Sequence, residues 1–254
     1  GAWQYSIPPD AAEDRIDWDR FLGNAPKRPF EPIRLFRWRN YNDYGTGLAG
    51  DLYVHLLTGL HVVTGSLGPT RVFSVGGTRF WKDGRDAPDV MLCTMEYAKT
   101  DQHPEFTFAL RVNFASGEPS ERFGLKFVGS EGTMNVDFST VKLMKNPRES
   151  EPGMTLNTFP KDVQKAIEKE YYAKYPRTRP NADSMRPESE EVYTSRADAH
   201  QLHHNNFYRA VRTRKPFFED GVFGFRTAGP ALLANVSLFE QRMCRWDPVA
   251  LRQV

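Results

Sequence analysis

The sequence predicts an α+β fold built on an antiparallel β-sheet. A helical pattern covers residues 47–64, segments of alternating apolar and polar residues follow between 71 and 144, and two more helical patterns lie at 198–214 and 221–243. The alternating segments are joined by short turns with no helix between them. Such strands are expected to pair antiparallel, because parallel pairing needs a long crossover connection.

Composition limits the classes of function. The chain has 254 residues, of which 26% are charged and 39% hydrophobic, and its formal net charge is +2. This length suits one large domain or two small ones. A nearly neutral chain without a long basic run does not indicate nucleic-acid binding, and no apolar stretch reaches the roughly 18 residues of a membrane span. We expect a soluble protein, and the sequence leaves the cytoplasm and the periplasm both open.

Residues 1–46 are interpreted as an approach segment. A short helical turn at 16–23 ends at a glycine, and three prolines then predict irregular backbone, namely Pro26, Pro29 and Pro32. The following residues are rich in arginine and aromatic side chains, which stack on sugar faces and bond to hydroxyl groups. Packing on the protein surface is the alternative. The candidate substrate-binding residues of this segment are Arg37, Arg39, Tyr41 and Tyr44.

The predicted helix at 47–64 carries a carboxylate, Asp51, and an imidazole four residues later, His55. Residues four apart share a face of a helix, and a carboxylate can fix the tautomer of a histidine. Such a pair in an apolar helix is a candidate for proton transfer, and a structural hydrogen bond or ion pair near the surface is the alternative. Residues 45–50 also match G-x-G-x-x-G, but no hydrophobic strand precedes them. These glycines are expected to permit close packing at the helix start.

The rest of the chain is divided by its composition. Residues 47–146 are predicted to form the helix and the sheet, with strands at 71–80, 90–98, 106–114, 122–128, 133–137 and 141–144. Residues 147–198 are rich in proline and charge and are interpreted as a long excursion with one helix at 161–174. Residues 199–254 form the C-terminal helices. All four segments are assigned to a single domain, 1–254.

Three histidines form a local cluster in the sequence, His200, His203 and His204. His200 and His204 have the i, i+4 spacing that some zinc sites use. No third strong ligand follows them, and the two cysteines, Cys93 and Cys244, are far apart. We therefore predict no metal site, and His200 and His204 are candidates for binding substrate.

Several short motifs occur together along the chain. They are Asp17-Trp18-Asp19-Arg20-Phe21-Leu22-Gly23, Asn42-Asp43-Tyr44-Gly45-Thr46-Gly47, Gly50-Asp51-x-x-x-His55, Gly129-Ser130-Glu131-Gly132-Thr133, Asn206-Phe207-Tyr208-Arg209-Ala210-Val211-Arg212-Thr213-Arg214-Lys215-Pro216 and Trp246-Asp247-Pro248. With these motifs the chain resembles, over nearly its whole length, the C-terminal domain of the glucose–fructose oxidoreductase, inositol dehydrogenase and MocA (Gfo/Idh/MocA) family. The resemblance implies an open, mainly antiparallel sheet with helices packed on one face. It also implies that the other face forms the subunit interface of a homo-oligomer.

The resemblance implies a chemistry as well. Family members look like two-domain enzymes in which an N-terminal Rossmann domain binds NAD or NADP and the C-terminal domain binds a carbohydrate. It implies that His55 is the proton acceptor or donor on a substrate hydroxyl and that Asp51 orients it. Gly47 and Gly50 are expected to border the nicotinamide.

Two departures from the family pattern matter. Tyr53 stands where many relatives have glycine, and Thr58 stands where they have aspartate, which affects substrate contacts. The chain also shows no Rossmann domain and no Glu-Lys-Pro motif, whose lysine is a catalytic partner in the family. We therefore expect the NAD(P)-binding domain to lie upstream of this chain, and the isolated chain to be inactive.

Three functions follow as hypotheses. The first is the substrate-binding and oligomerisation domain of an NAD(P)-dependent oxidoreductase that acts on a sugar, cyclitol or glycoside hydroxyl. The second is a domain of an NAD-assisted glycosidase, in which transient oxidation of the sugar allows a glycosidic bond to break. The third is a non-catalytic domain that binds sugar or dimerises through an apolar sheet face.

Overall fold

The computed structural model of the chain describes residues 2–116, 123–145, 152–176 and 189–254. The helices are α1 (Trp18–Leu22), α2 (Pro32–Phe36), α3 (Val54–Thr64), α4 (Lys161–Lys174), α5 (Ala199–Thr213) and α6 (Gly221–Glu240). The strands are β1 (Arg71–Gly77), β2 (Val90–Tyr97), β3 (Phe106–Asn113), β4 (Leu125–Gly129), β5 (Gly132–Val136), β6 (Thr140–Lys145), β7 (Ser189–Thr194), β8 (Cys244–Asp247) and β9 (Arg252–Gln253). They form two compact units, residues 1–121 with 203–254 and residues 122–202.

A five-stranded antiparallel sheet is the framework of the first unit. Its strand order is β3-β2-β1-β8-β9. β1 and β2 pair along their length, with Arg71 opposite Glu96, and β3 continues the sheet with Phe106 opposite Tyr97. β8 joins the other edge of β1. The sheet does not close on itself, so the predicted α+β fold with an open antiparallel sheet is confirmed.

Alternation along the strands separates a buried face of this sheet from an exposed one. The buried residues of β1 and β2 are Val72, Ser74, Met91, Cys93, Met95 and Tyr97. Helix α6 packs on β1 from this side, and α3 packs on α6. On the other side Phe73, Val75 and Leu92 are 45%, 51% and 45% exposed. Helices thus cover one face of the sheet, as predicted.

Helix α6 is fixed to the sheet where strand pairing stops. β8 pairs with only the first two residues of β1, so the next backbone groups along that edge need other partners. The hydroxyl of Ser237 in α6 accepts the backbone N–H of Ser74 at 2.9 Å and donates to the carbonyl of Arg242 at 2.6 Å. A Cβ on Gly229 would come within 2.5 Å of the Trp246 ring. The missing side chain therefore lets α6 lie against β8.

Among the described residues, one helix, α6, is long and apolar enough by length and composition to cross a membrane. About 39% of its most apolar window is buried inside the fold. It buries Thr227, Ala231 and Ala234 and packs on β1. An apolar helix with these contacts occupies the position of a core helix.

The second unit contains a four-stranded antiparallel sheet in the order β4-β5-β6-β7. The predicted tight turn joins β4 to β5, where Gly129 pairs with Gly132. Strand β7 was not predicted, because its sequence contains two glutamates and has little apolar character. It pairs with β6 along its whole length, with Val141 opposite Tyr193. Lys142 and Lys145 on β6 add ion pairs with Glu190 and Glu191 at 2.9 and 3.1 Å.

Other predicted elements differ from the structure in detail. The prolines before residue 33 predict irregular backbone, yet α2 begins at Pro32. Proline suits the first position of a helix, because the N–H that it lacks has no helical partner there. The predicted start of the fourth strand at 122 lies outside the described residues, as do 147–151 and 177–188 of the predicted excursion. Within that excursion, the helix at 161–174 is confirmed as α4.

Candidate active site

The helix predicted at 47–64 contains a π turn near its start. Ala49–Tyr53 forms this turn, and α3 continues from it to Gly65, whose φ of 68° is left-handed and ends the helix. A π turn holds more residues than an α turn, and such turns are frequent at functional sites. Asp51 lies in the π turn and His55 in the first turn of α3, so the candidate pair lies where the helix geometry changes.

Glycine at position 50 allows the helix start to lie close to its neighbours. A Cβ on Gly50 would fall 1.9 Å from Oγ1 of Thr46 and 3.2 Å from Leu232 in α6. The side-chain amide of Asn235, also in α6, donates to the carbonyl of Thr46 at 2.7 Å. The glycine therefore serves close packing, and α6 fixes the segment that holds Asp51.

Gly50→Ala is expected to lower the free energy of unfolding by about 1–3 kcal/mol, because the added methyl group overlaps Thr46 and the π turn must move. Gly224→Ala is the matched control. Gly224 is also helical, and nothing lies within 4 Å of its Cβ position, so alanine there is expected to be neutral or stabilising. Urea unfolding of both variants measures the difference. Equal stability of the two variants would contradict this account of the helix start.

The carboxylate of Asp51 is bound by an arginine of the approach segment. Nε of Arg39 lies 3.3 Å from Oδ1 of Asp51, and both side chains are about one-third exposed. The guanidinium of Arg39 lies 4.3 Å from the centre of the Trp38 ring, which restricts its position. A partly exposed ion pair contributes little to stability, about 0–1 kcal/mol. Its main consequence is to hold a positive charge beside Asp51.

His55 is exposed at the surface of α3. The buried stripe of the helix consists of other residues, which are Leu48, Tyr53, Leu57, Leu60 and His61. Tyr53 anchors this stripe, because its hydroxyl donates to the carbonyl of Met91 in β2 at 2.8 Å. Asp51 and His55 therefore lie outside the buried stripe, and a ligand or a partner surface has access to both.

The other candidates in the approach segment are held by local contacts. Nε of Arg37 donates to the carbonyl of Tyr5 at 2.9 Å. Tyr41 is 3% exposed, and the guanidinium of Arg34 lies 4.3 Å from the centre of its ring. The ring of Tyr44 packs on Tyr41 with its hydroxyl buried. The structure thus brings Arg39, among these residues, into contact with Asp51.

The histidine cluster lies on α5, most of whose residues are exposed. His200 lies 4.0 Å from a carboxylate oxygen of Asp198, and the ring of His204 stacks on Tyr208. His203 lies 2.9 Å from Glu219. The described residues contain no group of three or more histidine, cysteine or acidic side chains arranged to hold a metal ion.

A further histidine, which the sequence analysis did not select, is buried in the first unit. Nε2 of His61 in α3 lies 3.0 Å from the hydroxyl of Tyr97 in β2. Burial, assisted by the positive charge of Arg226 and by His103, lowers the pKa of His61 to about 4. It is therefore neutral at physiological pH and serves as a core hydrogen-bonding residue.

Two aspartates stabilise the β1–β2 loop, which contacts the approach segment. The buried carboxylate of Asp89 accepts three backbone N–H groups, from Arg79, Phe80 and Trp81, at 2.7, 2.9 and 2.7 Å. Asp83 forms a two-bond ion pair with Arg85, each bond 2.9 Å long. The same loop binds the segment before the helix. Its backbone N–H groups at residues 86 and 87 donate to the carbonyl of residue 40.

These contacts shift the pKa values of both carboxyl groups. Burial raises the pKa of Asp89, but the three N–H donors together outweigh it, so its pKa lies below the usual range. The hydrogen bond from Arg85 is the largest effect on Asp83 and lowers its pKa to about 2. Sequence pattern offers no signal for these roles, because each depends on the fold of the loop.

No protein-family model matches the sequence, and no curated protein is significantly similar to it. Solved structures do share its fold, and these structural neighbours are oxidoreductases. An oxidoreductase from Agrobacterium radiobacter, in complex with NAD+, L-tartaric acid and magnesium, gives a TM-score of 0.51 at 12% sequence identity. The match covers 88% of this chain and 55% of that one.

An oxidoreductase from Thermotoga maritima gives a TM-score of 0.52 at 11% identity, over 85% of this chain and 48% of its own. The chain thus spans about half the length of these two structures. At such low identity the likeness establishes the fold and not the activity of this chain.

Proposed function

We propose that this chain is the substrate-binding and oligomerisation domain of a nicotinamide-dependent oxidoreductase that acts on a hydroxyl group of a sugar, cyclitol or glycoside. One observation carries the proposal. A carboxylate and an imidazole, Asp51 and His55, are accessible one helical turn apart on a helix whose start is fixed by α6. The same fold occurs in an oxidoreductase that binds NAD+.

The two residues are assigned different roles. His55 accepts the proton of the substrate hydroxyl as the carbinol carbon is oxidised to a carbonyl, and returns it in the reverse reaction. Asp51 orients the imidazole and stabilises it when it is charged. Arg39 acts on Asp51 as a positioning residue, since its guanidinium contacts that carboxylate. A nicotinamide ring, when bound, supplies the hydride acceptor.

Two glycines at the helix start, Gly47 and Gly50, are the predicted neighbours of that cofactor. A phosphate-binding cradle needs glycines at which the missing side chain leaves room for the ligand. At Gly50 the position of a Cβ is already occupied by Thr46. Gly47 has a left-handed φ of 59°, and its Cβ position faces Ala87 and Pro88. Neither glycine forms a cradle, so we assign the nucleotide to a separate NAD(P)-binding domain, and the position of Gly47 and Gly50 beside the nicotinamide stays a prediction.

The polyhydroxylated substrate is proposed from the side chains near the pair. Arg39 offers guanidinium donors next to Asp51. Arg37 and Tyr44 stay candidates in the same segment, whereas Tyr41 is 3% exposed and offers a ligand little surface. His200 and His204 stay candidates on α5. The Agrobacterium oxidoreductase was crystallised with L-tartaric acid, a compound with two adjacent carbinol groups, and this supports a substrate of the same chemical class.

Self-association is proposed through the exposed face of the five-stranded sheet. Phe73, Val75 and Leu92 are each about half exposed on that face. Their side chains point away from the helices, because they alternate with the buried residues of the same strands. Exposed apolar residues on adjacent strands are typical of a surface that another copy covers.

The test measures net reduction of NAD+ or NADP+ against a panel of sugars, cyclitols and glycosides. The natural protein that joins this chain to a nucleotide-binding domain is expected to form one reduced nicotinamide for each carbonyl product, and the 254-residue chain by itself is expected to be inactive. Release of a sugar from a glycoside without net change in the nicotinamide would identify the glycosidase instead. Sugar binding without either reaction would favour the non-catalytic hypothesis.

A further inference from the structure

A pocket of about 290 Å³ lies where α5 ends, between its last turns and the segment that follows. It is distinct from the Asp51–His55 pair, and none of the candidate active-site residues lines it. The lining residues that matter here are Asn206, Arg209, Thr213, Lys215, Phe217 and Phe218. Two basic residues, one asparagine and two phenylalanines therefore contribute to the lining of one small pocket.

The backbone at the end of α5 creates this pocket. Arg214 has a φ of 55°, in the left-handed region that is uncommon for residues other than glycine, and its N–H donates to the carbonyl of Ala210 at 2.8 Å. This conformation turns the chain sharply after Thr213. Lys215 and the two phenylalanines consequently face the last turns of the helix that carries Arg209.

The aromatic walls of the pocket are held by contacts on their outer sides. The ring of Phe217 meets the ring of His203 edge to face, with 5.5 Å between their centres, and His203 lies 2.9 Å from Glu219. The ring of Phe218 lies 5.0 Å from that of Phe223. These contacts restrict the two rings, and Phe218, which is 65% exposed, is accessible to a planar group.

The charge of the pocket is positive. Residues 206–218 include four basic side chains and no acidic one. The two acidic residues that follow have other partners, since Glu219 lies against His203 and Asp220 accepts the N–H of Phe223 at the start of α6. Within the part of the chain that the structure describes, Arg209 and Lys215 form no ion pair. The two cations are therefore available to an anion.

Compensation of the helix dipole is the simplest reason for basic residues at the end of α5. The C-terminal end of a helix carries roughly half a negative charge. The two lining cations, Arg209 and Lys215, exceed that value about fourfold, and both residues are exposed, so an anion has access to them.

The donors in the pocket suit a phosphate group. The hydroxyl hydrogen of Thr213 is already donated to the carbonyl of Arg209 at 2.8 Å, so Thr213 shapes the wall and donates nothing further. The donors that remain are the Arg209 guanidinium, the Lys215 ammonium and the Asn206 amide. A phosphate monoester carries nearly two negative charges and three acceptor oxygens, which match two cations and three donor groups better than one carboxylate does.

We propose that this pocket binds a small phosphate monoester whose organic part is planar and apolar, with the phosphate between Arg209 and Lys215 and the planar group against Phe217 and Phe218. The volume of the pocket lies at the lower end of the range for ligand sites, which favours a small ligand over a dinucleotide. This inference does not rest on the proposed function.

Calorimetric titration of the 254-residue chain with phenyl phosphate tests the proposal. Phenyl phosphate contains both recognised groups, and inorganic phosphate and phenol contain one each. We expect saturable binding of one phenyl phosphate per chain, at least tenfold weaker binding of inorganic phosphate, and no binding of phenol. Benzoate is the carboxylate probe, and binding of benzoate as tight as that of phenyl phosphate would overturn the phosphate assignment.

Matched variants test whether phenyl phosphate binds in this pocket. Arg209→Gln and Lys215→Gln are each expected to weaken binding of phenyl phosphate about tenfold or more, because each removes a charge-assisted contact. Arg212→Gln removes an equal charge from the same helix but outside the pocket lining, and is expected to change the affinity less than twofold at physiological ionic strength. The proposal is overturned by an absence of saturable binding, by an equal effect of Arg212→Gln, or by unchanged affinity in the Arg209→Gln/Lys215→Gln double variant.

Discussion

Replacement of His55 by alanine is expected to lower kcat by about 10²–10⁴-fold in the full-length oxidoreductase that we propose. The imidazole is the group to which we assign the substrate proton, and alanine offers no base in its place. Because the residue is exposed on α3 and outside the buried stripe, the fold is expected to survive the change. KM for the hydroxyl substrate should change much less than kcat.

Asp51→Asn tests whether the pair acts as a unit. An amide at this position keeps the size of the side chain but loses the negative charge that stabilises a charged imidazole. We expect kcat to fall, and we expect the Asp51→Asn/His55→Ala double variant to be little worse than His55→Ala, since residues that act together are not additive. Additive losses in the double variant would show that the two side chains act separately.

Val62→Ala is the control for substitutions on the same helix. Val62 also lies on α3 and is 50% exposed, so its truncation is expected to leave kcat unchanged. The rate of nicotinamide reduction at saturating substrate gives kcat for the four variants and for the unchanged protein. A His55→Ala variant with near-normal kcat would reject the catalytic assignment and leave the helix with a packing role.

Asp89→Asn is expected to cause the largest loss of stability, about 2–4 kcal/mol in the free energy of unfolding at neutral pH. The carboxylate of Asp89 accepts three backbone N–H groups of the β1–β2 loop. An asparagine has one acceptor oxygen, and its NH₂ group faces donors, so at least one N–H loses its partner. A buried donor without a partner costs about 1–3 kcal/mol, and the bonds to a charged acceptor are lost in addition.

The same contacts predict a dependence of stability on pH. The folded-state pKa values of Asp83 and Asp89 lie below those of the unfolded chain, which are near 4. Their stabilisation is thus fully present above about pH 4 and is lost as the pH falls through the folded values, which for Asp83 is about 2. We expect this contribution of the two aspartates to be lost between about pH 4 and pH 2, and the loss in that range to be smaller in Asp89→Asn.

Urea unfolding at several pH values measures both effects. Asp247→Asn is the matched control, because Asp247 also accepts two backbone N–H groups, at 2.9 Å each, but at an exposed turn. Its loss is expected to be clearly smaller than that of Asp89→Asn. If the two variants were equally stable, the buried position of Asp89 would contribute nothing beyond its hydrogen bonds.

Local periodicity was sufficient to predict much of the fold. The alternation of residues 106–114 predicted β3, which the structure bounds at Phe106–Asn113. The predicted helix at 47–64 is present with its end at Gly65, and the one at 161–174 is α4. These predictions succeed because side chains repeat every two residues along a strand and every 3.6 along a helix, and glycine ends a helix by its own conformational freedom.

Elements defined by their partners were not predictable in this way. β7 is a strand because it pairs with β6, whose residues lie more than forty positions away and include the lysines that contact its glutamates. β8 is four residues long, too short for a periodic signal, and its place beside β1 is set by pairing across the fold. The π turn within the predicted helix has no counterpart in the periodicity of its sequence.

By itself, the sequence determined the α+β class, the helix that carries Asp51 and His55, and the i, i+4 spacing of that pair. Tertiary structure decided that Asp51 is bound by Arg39, that Tyr41 is buried, that Asp89 anchors a loop, and that Arg209 and Lys215 share a pocket with two phenylalanines. The physical reason is the distance along the chain over which each feature is determined. Periodicity is imposed on each residue by its nearest neighbours, whereas the surroundings of a charged or aromatic side chain are set by residues that only folding brings close.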